Sequence, residues 1–317
     1  MTVAELAERL AAAGVELRRD HPVGPMTTYR VGGRAALAAE AADLDELTRI
    51  AGATAGGDEP VLIIGNGSNL LVADSGFPGL VVHLGGGFEL MSVDPDGTTV
   101  RVGGAAALPV VARRTASLGL TGFEWAVGVP GTIGGAVRMN AGGHGSDMAA
   151  VLSGVRVVDL ATGENGAMAV SQLRLGYRHS SIGPSQVVTE AQLRLTAGDR
   201  SAAEAEVAEV VRWRREHQPG GPNAGSVFTN PVGDSAGRLI DAAGCKGLRL
   251  GSAAVSTKHA NFIQADPGGS ADDIVKLMAE VRRRVLAATG IELETETRLI
   301  GFVGSDVDGG NVGRTRS

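Results

Sequence analysis

At 317 residues the chain is longer than one hydrophobic core usually supports, so two or three domains are expected. It is 43% hydrophobic and 20% charged, a globular composition, and its net charge of −6 excludes a protein whose main task is gripping nucleic acid or an anionic membrane. A single cysteine, Cys245, excludes an internal disulfide and a cysteine-rich metal cluster.

The opening MTVAELAERLAAAGVELRRD carries Glu5, Glu8 and Arg9 inside its apolar run, which predicts an amphipathic helix in place of a signal peptide. No stretch reaches 18 uninterrupted apolar residues. A soluble cytoplasmic protein, monomeric and without a membrane or nucleic-acid partner, is expected. RAALAAE, the helically spaced residues 43–54 and VLIIG at 61–65 predict a strand–helix–strand unit. From about Leu80 to Leu195 the short β-rich runs GLVVHL, TTVRVGG, GVRVVDL and QVVTEAQLRL, with one helix at 108–118, predict a second, mixed or antiparallel sheet.

Residues 201–217 form the clearest helix. Glu204, Glu206 and Glu209 lie early in it, and Arg212, Arg214 and Arg215 late, as the macrodipole favours. HQPGGPNAG then breaks the pattern and marks a domain boundary. Residues 270–288 repeat the design, with Ser270 as N-cap, Asp272 and Asp273 in the first turn and Gly290 beyond the end. GSDVDGGNVGRTRS has little to bury and is expected to be disordered. The domain spans read from these signals are 1–79, 80–200 and 201–303, with a tail at 304–317.

Glycine, at 48 residues, is about twice its usual share, and it gathers in loops. Two loops, GNGSN (65–69) and GVPGTIGGAVRMNAGGHG (128–145), leave runs of bare backbone whose amides could surround an anion. A diphosphate is the natural guest. A tight turn needing positive φ is the competing reading for either loop. Gly65 and Gly67 begin a G-x-G-x-x-G that ends on Leu70, so the dinucleotide fingerprint is incomplete, and no P-loop is present. The six histidines show no metal-ligand spacing, so no metal site is expected.

Read in order, GNGSNLLV, GVPGTIGGAVRMNAG, YRHS, NAGSVFTNP, AGRLIDAAGCKGLRLGSAAVSTKHANFI and LETETRLIG resemble the UDP-N-acetylenolpyruvoylglucosamine reductase family, flavoenzymes that complete UDP-N-acetylmuramate for bacterial peptidoglycan. The resemblance covers 26–302. It implies an α+β protein: a FAD-binding fold of the vanillyl-alcohol-oxidase type, built from two α+β subdomains, followed by a C-terminal α+β substrate-binding domain. It further implies FAD along Gly65, Asn66, Gly67, Ser68, Asn69 and Leu70, and along Gly128, Pro130, Gly131, Thr132, Ile133, Gly134, Gly135, Asn140, Ala141 and Gly142.

NADPH would reduce the flavin and leave, and UDP-N-acetylglucosamine enolpyruvate would take its place. Arg178 would bind the substrate carboxylate and neutralise the developing enolate, Glu296 would complete that pair, and Ser226 would protonate the carbanionic carbon. Tyr177, Asn230, Lys246, Lys258 and His259 are the implied substrate contacts. By the residues alone Arg178 reads sooner as a surface arginine and Ser226 as a turn or capping residue, and the resemblance reverses that order. Glu292, Glu294 and Glu296 alternate as on one face of a strand, and Glu296 is selected by the E-x-R-x-I-G that it opens.

Two departures from the family pattern stand out. With only Tyr29 and Tyr177, the chain resembles the shorter family branch that lacks an inserted tyrosine loop. His217 stands at a lysine position, so a cation there would depend on histidine protonation. Another FAD-dependent oxidase or dehydrogenase of the same cofactor fold, or a non-catalytic nucleotide-binding protein, remains an alternative at this point.

Overall fold

Thr2 and Glu5 close a capping box, Glu5 N donating to Thr2 Oγ1 (3.3 Å) and Thr2 N to Glu5 Oε2 (2.7 Å), and so begin the helix Val3–Ala12. The computed structural model describes residues 2–302; the tail expected to be disordered lies outside them. Contacts group the described chain into two units, one made of 2–19, 37–66 and 79–214, the other of 20–36, 67–78 and 215–302. No helix among the described residues is long and apolar enough to cross a membrane.

In the first unit, Leu6, Ala7 and Leu10 pack against the helix Leu44–Thr54, whose Asp43 cap accepts from Glu46 N (2.9 Å). The associated sheet has the order Arg18–Pro22, Arg34–Ala41, Phe77–Leu84, Val61–Ile64. The strand–helix–strand unit is therefore present, but with Phe77–Leu84 laid between its two strands, parallel to Val61–Ile64. The second sheet is antiparallel throughout, in the order Asn165–Ala169, Leu152–Asp159, Gln186–Arg194, Thr99–Gly103, Met91–Val93. Its apolar face buries Val100, Val102, Val155, Val157 and Leu193 in a core shared with the helices Leu108–Ser117 and Ile133–Met139. Ala203, Val207 and Val210 of the helix Arg200–His217 join the same core.

The second unit has one core, formed around the helix Ala271–Thr289. Ile274, Leu277, Met278, Val281 and Val285 recur at three- and four-residue spacing along it, each burial stabilising by about 1.5–3 kcal/mol. A three-stranded antiparallel sheet, Arg249–Leu250, Ala253–Val255 and Ile263–Ala265, packs on that helix. Tyr29, Val31 and Leu71 complete the core, and Leu70–Val72 runs parallel to Arg298–Ile300. This is why contacts divide the chain differently from the contiguous spans 1–79, 80–200 and 201–303. The segments 20–36 and 67–78 are too short for a core of their own, and they bury Tyr29, Val31 and Leu71 in the core of 224–302.

Ser270 caps the long helix as expected, accepting from Asp273 N (3.3 Å), and Gly290 ends it in the left-handed region at φ 72°. An unexpected partner adds to the cap. Asp74 accepts from Ser270 Oγ (2.6 Å), Ala271 N (3.0 Å) and Asp272 N (3.2 Å), an anion at the positive end of the helix dipole. Asp74→Ala is expected to weaken this unit by about 1–2 kcal/mol. A lower urea midpoint by circular dichroism, with Asp74→Asn falling between the two, is the corresponding observation.

Candidate functional site

Gly65 and Asn66, which begin the first glycine loop, meet the second glycine loop within the first unit. A Cβ on Gly65 would lie 2.5 Å from Thr132 Oγ1, and Asn66 Nδ2 donates to Pro130 O (3.3 Å). Thr132 also caps the helix Ile133–Met139, accepting from Gly135 N (3.4 Å). Behind the second loop the backbone is close-packed on another glycine turn: Ile133 N donates to Ala106 O (2.9 Å), Gly134 N to Gly104 O (2.8 Å), and Leu108 N to Gly131 O (3.0 Å). A side chain on Gly134 would press on the carbonyls of Gly104 and Val188 at 3.1 and 3.2 Å. The glycines there let main chain approach main chain, and the amides of Ile133 and Gly134 are already spent.

Donors suited to an anion are found in the first loop. Among the described residues, the amides of Asn66, Gly67, Ser68 and Asn69 donate to no main-chain carbonyl. Gly67 holds φ +56°, and a Cβ on it would fall 2.4 Å from Met26 O, so only glycine fits. Four consecutive unspent amides beside the Ser68 hydroxyl fit a dinucleotide's pyrophosphate.

Asn140 ties the end of the second loop to YRHS. Buried and left-handed at φ 40°, it accepts from Ala149 N (2.9 Å) and donates to Asp147 Oδ2 (3.1 Å) and Gly176 O (2.9 Å). Gly176 and His179 bridge the turn that presents Tyr177 and Arg178. Arg178 has φ +53°, is half-buried, donates from Nη2 to Gly142 O (3.2 Å), and lies 5.2 Å from the centroid of the exposed Tyr177 ring. Arg178 and Gly142 thus come together, with Ala141 one residue away. Sequence reasoning read Arg214 only as a complement to the helix dipole. It is half-buried and donates to Gly128 O, while its neighbour Trp213 meets His144 edge-on at 4.9 Å.

The second unit gathers most of the other expected residues. Ser226 follows Gly225, which holds φ +75° and donates to Asn223 Oδ1 (3.0 Å). Beyond Ser226 the chain is clamped from two sides. Val227 N donates to Asn261 O (2.9 Å), the Asn261 side chain exchanges bonds with the Phe228 backbone (2.8 and 3.0 Å), and Glu296 N donates to Val227 O (2.8 Å). Asn69 Nδ2 donates to Glu296 O (3.1 Å). Ser226, Glu296 and Asn69 are therefore neighbours along one hydrogen-bonded ladder.

The alternating glutamates do not form the expected strand. Only Thr295 bridges, to Phe228, and the strand begins at Arg298, because consecutive amides of Glu296 and Thr297 both turn to Val227 O (2.8 and 3.3 Å) and break the alternation. Glu292 is exposed and pairs with Arg282, Glu294 is exposed, and Glu296 is half-buried.

Beside Ser226 opens a cavity of about 340 Å³, lined by Asn230, Lys258 and His259 among the expected residues, and by Ser235, Arg238 and Asp241, which sequence reasoning missed. Asn230 Oδ1 accepts from Ala236 N (3.0 Å). Lys246 Nζ reaches Asp241 Oδ2 (3.1 Å), and Lys258 Nζ donates to Arg215 O. Burial, and then the Lys246 charge, hold His259 below the usual imidazole range. Its Nδ1 accepts from Asn261 N (3.2 Å), which leaves the neutral ring a donor at Nε2. His217, exposed at the end of its helix, does not line the cavity.

Residues 35–165 match a family model described as FAD binding domain, and together with the reductase matches that follow this makes the chain a FAD-dependent oxidoreductase. Residues 216–300 match the model for the C-terminal domain of UDP-N-acetylenolpyruvoylglucosamine reductase. The chain is 42% identical over 287 residues to UDP-N-acetylenolpyruvoylglucosamine reductase 2 of Symbiobacterium thermophilum, covering 90% of this chain and 92% of that one. It is 43% identical over 295 residues to the reductase of Heliobacterium modesticaldum, covering 92% and 93%. The solved UDP-N-acetylenolpyruvylglucosamine reductase of Thermus caldophilus superposes with a TM-score of 0.77 at 37% identity, over 90% of this chain and 98% of that one. The chain belongs to the UDP-N-acetylenolpyruvoylglucosamine reductase family, whose reaction converts UDP-N-acetylglucosamine enolpyruvate to UDP-N-acetylmuramate through FAD.

Proposed function

We propose that NADPH and UDP-N-acetylglucosamine enolpyruvate are this chain's two substrates, and that the FAD lies in a vanillyl-alcohol-oxidase-type pair of subdomains. The observation that carries this reading is the cavity where Ser226, Asn230, Lys258 and His259 line one wall system. FAD would be held by the loop 65–69, through its unspent amides, and by the second glycine loop up to Gly142. Bound there, it supplies the electron-pair transfer between the nicotinamide and the enolpyruvyl double bond.

The chain's own residues do the rest. The Arg178 fork takes the substrate carboxylate and stabilises the charge that spreads into it as the double bond is reduced. Glu296 acts on the same enolate as the partner of that arginine. Ser226 delivers its hydroxyl proton to the carbon next to the carboxylate, an acid strong enough only because its target is a carbanion. Tyr177, Asn230, Lys246, Lys258 and His259 orient the sugar nucleotide, His259 as a neutral Nε2–H donor.

The test is optical. Purified protein should absorb as a bound flavin, bleach on anaerobic addition of NADPH, and recover its colour on addition of the enolpyruvyl sugar nucleotide. Bleached protein that regains colour only with oxygen would refute the reading.

A further inference from the structure

Arg238, which lines the cavity, and Lys246, which pairs with a residue that does, are each held by a carboxylate of their own unit. Arg238 grips Asp234 with both prongs of its guanidinium, Nε to Oδ1 at 2.6 Å and Nη2 to Oδ2, while Lys246 Nζ holds Asp241 at 3.1 Å. Arg238 and Asp241 both line the cavity, three residues apart on the short helix Ala236–Ala242. Every donor that Arg238 turns to Asp234 is one that a phosphate could take instead, since a carboxylate and a pair of phosphate oxygens present the same fork.

We propose that Arg238 is a specificity residue for the diphosphate of the sugar nucleotide, and that substrate binding exchanges its partner from Asp234 to a phosphate. The inference rests on the proposed substrate and adds a residue to it.

Three features make the exchange favourable. First, the arginine side chain is 61% exposed, so a phosphate can approach the guanidinium and offer the same two-oxygen fork with at least as much charge as the carboxylate it displaces. Second, Asp234 needs no rescue when it is left. Its carboxyl, held at about 2 by the Arg238 hydrogen bonds and then the Ser235 amide, also accepts from Ser235 N at 2.7 Å, a bond that survives the departure of the arginine. Third, the remaining charges favour an anion. Lys246 offsets Asp241, and the Lys258 ammonium, spending one donor on Arg215 O, keeps two for a ligand. Asp234 thus acts as a stand-in for phosphate that keeps the guanidinium in place on the helix until the substrate arrives.

A purely structural brace would behave differently, because either partner's loss would then weaken the site alike. The experiment uses the flavin-loaded full chain and compares R238Q, R238K and D234N. KM and kcat for the sugar nucleotide are measured in turnover, and Kd for UDP by calorimetry. R238Q is expected to raise KM and the UDP Kd by about 10–100-fold with kcat nearly unchanged, and R238K to recover part of it. D234N is expected to lower both constants a few-fold, since it removes the competitor and a negative charge.

An unchanged KM in R238Q, or parallel weakening in R238Q and D234N, overturns the inference. If R238Q does not fold, D234N decides: constants that fail to fall overturn it. Failure of the wild type to turn over the sugar nucleotide would instead strike the proposed function, and the UDP titration would still judge Arg238.

Discussion

Replacing Ser226 with alanine is expected to slow sugar-nucleotide reduction by about 10³-fold while NADPH reduces the flavin at the wild-type rate. The split follows from where the residue sits. Ser226 is on a turn set by Gly225 and held from behind by Val227, Asn261 and Glu296, all through main-chain or Asn261 side-chain bonds that alanine leaves in place. The backbone should therefore survive and only the hydroxyl proton be lost. Stopped-flow absorbance separates the two half-reactions: bleaching by NADPH reports the first, recovery of colour with the sugar nucleotide the second. Equal slowing of both would mean that Ser226 shapes the site and does not deliver the proton.

Arg178→Ala is expected to lower kcat for the sugar nucleotide by about 10²–10³-fold with flavin retained. Arg178→Lys should restore only a fraction, because an ammonium is a point charge where two carboxylate oxygens want a fork. The turn that carries Arg178 is fixed independently by the Gly176–His179 bridge and by Asn140, so truncation removes the guanidinium and its bond to Gly142 O but not the hairpin. Titrating apo-protein with FAD checks this. A flavin affinity reduced as far as kcat would place the arginine's effect on the cofactor loop instead of the substrate.

Much of the fold was legible because its signals are local. The capping residues Ser270 and Gly290, and the apolar runs of the strands, need only their near neighbours to act. What sequence could not show depends on distant partners. Gly134 read as room for a ligand, and part of that room is used by a carbonyl more than fifty residues away, Val188 O. Glu292, Glu294 and Glu296 carry the period of a strand, but Val227 O collects two successive amides and bends the segment. Arg238 was overlooked because arginine is this chain's default cation, only Lys246, Lys258 and Lys276 being lysine. The site residues found by motif were found as types in order, with no sign in the sequence of which carbonyl or carboxylate would hold each one.

The parallel pairing of Leu70–Val72 with Arg298–Ile300 has a consequence for synthesis on the ribosome. Tyr29, Val31 and Leu71 emerge well before the side chains that cover them, which belong to 224–293. During translation these apolar residues wait without their partners, and closure of that unit spans most of the polypeptide, a long and slow loop to form. Those apolar residues are therefore open to aggregation until 224–293 have been made, whereas the core built from 100–210 needs no later segment.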